Sequence, residues 1–268
     1  MSATFHGPVP EQPREDVLAA YLQFLGQRNG STATAGAYPE REKWLAGADA
    51  NPVRHRGELG GVVQQALQAF VKVNAAEAYG VEVISRRRHA RPFSGIFEQV
   101  ERVLGNEETY HTRILLGATR QFGLTPPSAA FRPPLPLRIL IGTMAYSPKA
   151  LFHPVLLGSE LAGVFTFNWM LLRVRELFAD QAALRDSLES RLIEILIDEV
   201  GHVAFNRLAV GPWGMSAARS LAVRVAEAAS QITPELKALG WNGSTLAELG
   251  KFDYASLPAE VRRRSFFA

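Results

Sequence analysis

Cysteine is absent from this 268-residue chain. Its absence excludes disulfide bonds, iron–sulfur clusters and catalysis by a thiol. A bound metal ion would have to be held by carboxylates and imidazoles, which suit harder and borderline metal ions. The composition therefore restricts any metal chemistry to oxygen and nitrogen ligands.

Lysine is scarce, and neither sign of charge is in large excess. Lys and Arg together number 29 and Asp and Glu 26, which gives a net charge of +3. No dense stripe of basic and aromatic residues is visible, so nucleic acid is not expected as a partner. Hydrophobic residues make up 47% of the chain, which is enough for a folded core.

Neither a secretion signal nor an uninterrupted membrane span is visible in the sequence. The N-terminal sequence MSATFHGPVPEQPRED contains no basic segment followed by an apolar one. Residues 151–172 approach the length of a membrane span, but Glu160 lies in their middle, and an ionised group in lipid is costly. We interpret this stretch as a buried helix and expect a cytoplasmic protein without a membrane partner.

Strand signals are sparse, whereas apolar residues recur with the period of an α-helix. The pattern predicts an all-α fold with four long helices, at 58–90, 95–122, 150–178 and 181–209. It also predicts shorter helices at 15–27, near PEREKWL, at 137–146 (LRILIGTMAY, expected to be buried) and at 217–231, with Ser216 as the N-cap of the last.

Two of the long segments contain a Glu three residues before a His, in EETYH at 107–111 and DEVGH at 198–202. On a helix the two residues share a face, and here that face is the apolar one predicted to point into the core. A buried charge is costly unless something compensates it. Glu194 falls off the apolar stripe and is expected to be solvated.

The other two long segments carry one Glu each at the matching height. The point midway between Glu77 and Glu108 falls on the turn-like sequence RPFSG, and the point midway between Glu160 and Glu199 falls on FADQA. Antiparallel helices bring residues level when they are equidistant from the turn. Four helices would thus place four Glu and two His in one layer, a pattern typical of di-iron carboxylate bundles.

These residues resemble the ligands of the ferritin-like di-iron carboxylate superfamily, which includes soluble methane monooxygenase, the ribonucleotide reductase small subunit, rubrerythrin and aminoarene N-oxygenases. The resemblance implies a ferritin-like four-helix bundle with additional N- and C-terminal helices. We therefore divide the chain into an N-terminal helical extension and loop (1–57), the di-iron bundle (58–209) and a C-terminal helix and tail packed on the bundle (210–268), all in one compact domain.

The resemblance also implies six iron ligands. Glu108 and Glu199 would bridge the two ions. Glu77 and His111 would complete one iron site, and Glu160 and His202 the other. Asp198 and Glu107 resemble a second layer that accepts hydrogen bonds from the imidazoles. Two divalent ions would neutralise four carboxylates. Manganese in one or both positions suits the same ligands.

Departures from the branches of the family bear on the chemistry. The sequence DEVGHVAF is closest to the aminoarene N-oxygenases, but Ile195 stands where they have a third histidine. Leu115 stands where the reductase subunit has its radical tyrosine, and Val164 where methane monooxygenase has a threonine. These three residues, with Phe167 and His153, are candidates for an apolar substrate pocket.

The predicted function is that of a non-haem di-iron oxidoreductase, an oxidase or monooxygenase with O₂ as co-substrate. Its substrate is expected to be a small, mostly apolar organic molecule, oxidised by hydroxylation, N-oxygenation or a related reaction. No catalytic residue beyond the metal ligands is predicted, and an external electron donor and a homodimer are expected. Two alternatives remain open: a ferroxidase or iron-handling protein of ferritin type, and a metal-free helical interaction protein whose Glu and His spacing is coincidental.

Overall fold

The computed structural model describes residues 14–30, 38–56, 60–88, 95–123 and 133–266. Within these ranges the chain is all-α and has no strand, which confirms the all-α part of the predicted fold class. The helices are α1 (Arg14–Asn29), α2 (Pro39–Ala50), α3 (Gly61–Arg88), α4 (Ile96–Arg120), α5 (Leu135–Tyr146), α6 (Lys149–Leu177), α7 (Ala182–Ala209), α8 (Pro212–Ile232), α9 (Pro234–Ala238), α10 (Gly243–Leu249) and α11 (Ala259–Arg264).

The four long helices α3, α4, α6 and α7 begin and end within about three residues of the predicted segments. Packing joins α3 to α4, α4 to α7 and α7 to α6. The two helices that carry the Glu–His motifs, α4 and α7, are therefore neighbours. The ferritin-like topology of the bundle stays a prediction.

The most apolar helix, α6, is covered on two sides. It packs extensively against α7 and equally against α8, which makes α8 part of the core rather than an addition at its edge. Among the described residues α6 is the one helix long and apolar enough to cross a membrane, and 72% of its most apolar window is buried in the fold. Those buried side chains contact other helices of this chain.

Two predictions about shorter helices are wrong. The helix expected at 217–231 begins at Pro212, and Ser216 lies inside it, because proline is well tolerated at the first position of a helix, where no N–H is needed. The stretch 137–146 forms most of α5, but Ile139, Leu140 and Tyr146 are exposed rather than buried. Because this helix is apolar on every side, its sequence does not indicate which face packs on the core.

The N-terminal helices α1 and α2 pack on each other and on α4. Helix α1 also approaches α7 closely at Gly201, within the second Glu–His motif. A Cβ atom at Gly201 would collide with the hydroxyl of Tyr21. The glycine thus lets α1 lie close to α7, so that side chains of α1 reach the interior between α4 and α7.

Candidate metal centre

Each Glu–His motif covers about one helical turn, so its two side chains point to the same side of the helix. In α4 they are Glu108 and His111, and in α7 they are Glu199 and His202, and all four are buried. Because α4 and α7 pack against each other, both pairs face the same interior.

Glu108 lies between the two imidazoles. Its Oε2 is 3.1 Å from His111 Nδ1, and its Oε1 is 2.8 Å from His202 Nδ1. The two rings are roughly parallel, with centroids 5.6 Å apart. A carboxylate in this position offers one oxygen to each of two adjacent sites.

Two further carboxylates complete this group. Glu160, from α6, has its Oε2 3.8 Å from His202 Nδ1, and Glu199 Oε1 is 3.2 Å from His111 Nδ1. One ligand atom from each of four residues, Glu108, Glu160, Glu199 and His202, lies within 4.8 Å of the others. We call these four residues and His111 the inner cluster; it is a carboxylate–histidine group able to hold a metal ion.

Glu77, the sixth predicted ligand, lies in α3, and its side chain is outside the described residues. Helix α3 ends at Arg88 and α4 begins at Ile96, so Glu77 is about as far from this connection as Glu108 is. The predicted role of Glu77 beside His111 stays a prediction.

The far side of each imidazole faces an acid from the opposite motif. His111 Nε2 is 3.2 Å from Asp198 Oδ2, and His202 Nε2 is 3.2 Å from Glu107 Oε2. Nδ1 of each ring thus faces the inner carboxylates while Nε2 faces an outer acid. With a metal ion on Nδ1, the Nε2–H group would donate to that acid, which orients the ring and raises its basicity.

Side chains from α1 and α2 contact these outer acids. Arg28 Nε donates to Asp198 Oδ1 at 2.8 Å, and Arg41 Nη2 donates to Asp198 Oδ2. Arg41 Nε also donates to Asn29 Oδ1 at 2.9 Å, and Asn29 Nδ2 donates to Glu107 Oε1 at 2.9 Å. The buried guanidinium of Arg41 therefore links the acids behind both imidazoles.

Glu194 is a third outer acid, and the prediction that it is solvated is wrong. It is only 4% exposed, and it accepts hydrogen bonds from Arg28 at 3.0 Å, from Arg41 at 3.2 Å and from Arg264. These arginines come from α1, α2 and α11, which reach over the side of α7 that a bare four-helix bundle would leave to solvent.

The outer acids and the inner carboxylates have different positively charged partners. Three arginines contact the three outer acids, Glu107, Asp198 and Glu194. In the described part of the chain, the ion pairs of the inner carboxylates are all with the two imidazoles. The inner cluster thus has no arginine or lysine of its own among the described ion pairs.

Without a bound cation, protons would have to balance the inner carboxylates. Burial alone would lower the pKa of His111 and His202, but the acids around each ring, Glu108 foremost, together outweigh burial, and the pKa of each imidazole lies well above its ordinary value. Burial alone would raise the pKa of Glu108, but the two imidazoles hold it below its usual range.

Glu199 is the residue that best tests whether a metal ion fits. Burial, and then the charges of Glu108 and Glu160, raise the pKa of Glu199 to about 8. Both its carboxylate oxygens are fully buried and accept no hydrogen bond from a described residue. Its described ion-pair partner is His111 Nδ1, 3.2 Å from Oε1, and Glu108 shares that nitrogen at 3.1 Å. A buried carboxylate without a hydrogen bond of its own is costly, and a coordinated cation would remove that cost. The residues present therefore fit a metal ion.

The five predicted pocket residues are all buried side chains: His153, Leu115, Val164, Phe167 and Ile195. His153 Nδ1 lies 3.0 Å from Asn206 Oδ1, and its ring meets Phe97 edge-on. Two clefts of about 570 and 310 Å³ lie elsewhere among the described residues and are lined by none of the five. The substrate pocket stays a prediction.

Several side chains near the inner cluster do not emerge from the sequence analysis, because they lie outside 58–209 and have no spacing relation to the motifs. Besides Arg28, Arg41 and Arg264, they include two tyrosines. Burial, and then the charge of Glu107, raise the pKa of Tyr21. Burial also raises the pKa of Tyr254, which feels the charge of Glu199.

Comparison of the chain with protein-family models, with curated proteins and with solved structures found no match.

Proposed function

We propose that this chain is a non-haem di-iron oxidoreductase that uses O₂ to oxidise a small, mostly apolar organic molecule. The observation that carries the proposal is the inner cluster, in which three carboxylates and two imidazoles meet in the core without an arginine or lysine among their described ion pairs. Iron suits these ligands, and so does manganese in one or both positions.

The division of charge supports a pair of ions. The arginines are already engaged with the outer acids, so they leave the inner carboxylates unbalanced. With Glu77 as the fourth inner carboxylate, two divalent ions would bring the centre close to neutrality. Glu108, which has one oxygen near each imidazole, would be able to hold both ions.

When bound in the inner cluster, a ferrous pair would supply the electrons that reduce O₂ and so provide a strong oxidant. The chain holds and shields this centre. The outer acids orient the imidazoles, the arginines hold the outer acids, and buried aliphatic side chains of α4, α6 and α7 exclude water. In a monooxygenation, one oxygen atom enters the substrate and the other leaves as water, with two electrons and two protons taken from an external donor.

The test is O₂ consumption by anaerobically iron-loaded protein, followed with an oxygen electrode and by near-ultraviolet absorption of the oxidised iron pair. We expect wild type to consume O₂ and to develop this absorption, and Glu108→Ala and Glu199→Ala to lose both. The matched control is Glu176→Ala, an exposed carboxylate on α6 that pairs with Arg173. Wild-type behaviour in either inner-cluster variant would refute the assignment.

A ferroxidase is the second candidate, and the close packing beside the inner cluster favours it. The five predicted pocket residues are at most 2% exposed, so they pack against other side chains. A ferrous ion needs less room beside the inner cluster than an organic molecule does. The two functions differ in stoichiometry. A ferroxidase continues to oxidise ferrous ion well beyond two per chain, whereas an oxygenase stops there until an electron donor is added.

A further inference from the structure

The exposed large apolar side chains are concentrated in one short stretch of the chain. Eight such residues are exposed in the described ranges, and five of them lie between residues 135 and 151. These five are 52–69% exposed: Leu135, Ile139, Leu140, Tyr146 and Leu151. We call them the apolar patch.

Four of the five residues of the apolar patch lie on α5, and Leu151 lies in the first turn of α6. Leu135, Ile139 and Tyr146 are spaced so that they lie along one face of α5, with Leu140 beside them. The opposite face of α5 packs against α3 and, at the C-terminal end, α6. A helix at a protein surface is normally polar on its outer face, so the outer face of α5 departs from that pattern.

The patch is large for a surface that stays in water. At about 150–250 Å² for a large side chain, its exposed fractions amount to roughly 500–600 Å², the upper limit for the largest apolar patch on a typical monomer. Trp213 is 68% exposed. It lies at the same end of α6 as Leu151, since a Cβ on its neighbour Gly214 would be 3.2 Å from Pro154. With Trp213 the area approaches the roughly 800 Å² per partner of a stable interface.

The polar groups within this face do not oppose its burial. Thr143, on the outer face of α5, donates its hydroxyl to the carbonyl of Ile139 at 2.9 Å. Ser147 donates to the carbonyl of Met144 at 2.7 Å. Because both hydroxyl protons are already bonded within the chain, removing water from the face leaves neither of these two donors unsatisfied.

We propose that the apolar patch is the interface between two copies of this chain, with α5 of one copy packed against α5 of the other around a two-fold axis. In such an interface each residue near the axis meets itself. The five residues of the patch are uncharged, so pairing them with themselves brings no like charges together.

The charges near the patch favour a second copy over a lipid surface. A helix that lies on anionic lipid usually presents lysine or arginine beside its apolar face. Here Lys149 Nζ binds Glu98 at 2.7 Å and lies over the ring of Phe97. The Arg138 guanidinium lies over the ring of Tyr79. Of the described residues, these two cations beside the patch thus already contact groups of this chain.

Sedimentation of the purified full chain over a range of concentrations tests the interface. We expect wild type to be a dimer, and Ile139→Glu and Leu140→Glu to raise the dimer dissociation constant by about a hundredfold or more, because each places like charges together at the axis. The control is Leu172→Glu. Leu172 is also exposed, at 44%, but it lies on α6 about 30 Å from Leu151 and therefore outside the patch. Helicity and metal content of the variants should equal those of wild type.

The absence of cysteine permits a second measurement. Under mild oxidation, Ile139→Cys should form a disulfide-linked dimer, and Leu172→Cys should not. A wild type that is monomeric up to about 100 µM, far above the dissociation constants of standard-size interfaces, would overturn the proposal. So would equal dissociation by Leu172→Glu, or a monomer that binds phosphatidylglycerol vesicles through the patch. None of these outcomes depends on the proposed oxidation chemistry.

Discussion

Asp198, in the motif on α7, lies 3.2 Å from Nε2 of His111, in the motif on α4. Glu107, on α4, stands in the same relation to His202, on α7. Each motif therefore supplies the acid that orients the other motif's histidine. The two helices must be in register for either imidazole to be held correctly, which ties the geometry of the inner cluster to the packing of α4 on α7.

Asp198→Asn tests this crossed arrangement. Asparagine keeps the size of the side chain but removes the charge that holds His111, and loss of such a partner typically lowers metal affinity 10–100-fold. We expect a decrease in that range for Fe(II), measured by competition with a chelator. Asp186→Asn, an exposed substitution on the same helix, is the control. Unchanged affinity in Asp198→Asn would show that the outer acid does not act on the metal.

Arg41→Gln tests the link between the outer acids. Asp198 and Glu194 would each lose a buried cationic partner, and breaking a buried ion pair costs about 3–5 kcal/mol. We expect the free energy of unfolding in urea to fall by about that amount. Arg113→Gln is the matched control, because Arg113 binds Glu42 at the surface, where an ion pair contributes about 0–1 kcal/mol. Equal losses in the two variants would contradict the account of the buried network.

Glu199→Gln should stabilise the metal-free protein while abolishing metal binding. The pKa of Glu199 is raised from 4.5 to about 8, so between these values the folded state keeps a proton that the unfolded state has lost. Its contribution to stability is therefore full below pH 4.5 and is lost as the pH rises through about 8. Glutamine cannot ionise, so at pH 8 the variant should be more stable by about 1–3 kcal/mol.

Urea unfolding in the presence of a chelator, at pH 5 and pH 8, measures this difference. The gain should be larger at pH 8, and Glu176→Gln should show no gain at either pH. A metal-free Glu199→Gln protein that is less stable than wild type at pH 8 would mean that Glu199 has partners that satisfy it.

Metal binding should release protons. The pKa of Glu199 is about 8, and Glu108 holds the pKa of both imidazoles above the ordinary value, so a metal ion must displace protons at neutral pH. Apparent affinity should therefore increase from pH 6 to pH 8. Calorimetry in buffers of different ionisation enthalpy gives the number of protons; binding without proton release at pH 7 would conflict with the charge assignment.

The long helices and the layer of Glu and His residues are predictable from sequence because both depend on the spacing of residues along the chain. The apolar period fixes each helix, and the distance from a turn fixes which residues are level. That reasoning makes Glu160 level with Glu199, and the structure places a ligand atom of each within 4.8 Å of the other.

The outer layer is not predictable in this way. Arg28, Arg41 and Arg264 lie on helices far from α7 in the sequence, and no period relates them to Glu194 or Asp198. Glu194 falls off the apolar stripe, and only the cover from α1, α2 and α11 buries it. Helix α5 has the opposite outcome, since apolar residues expected to be buried are exposed. Apolar residues on all sides of a helix do not indicate which face remains exposed.

The metal content of the purified protein tests the central claim most directly. After anaerobic loading with Fe(II) and removal of unbound metal, the account predicts about two iron ions per chain in wild type. Glu108→Ala and Glu199→Ala should lose the pair, whereas Glu176→Ala should retain it. Fewer than about one metal ion per chain in wild type, or full iron content in Glu108→Ala, would contradict the assignment of this cluster as a di-iron centre.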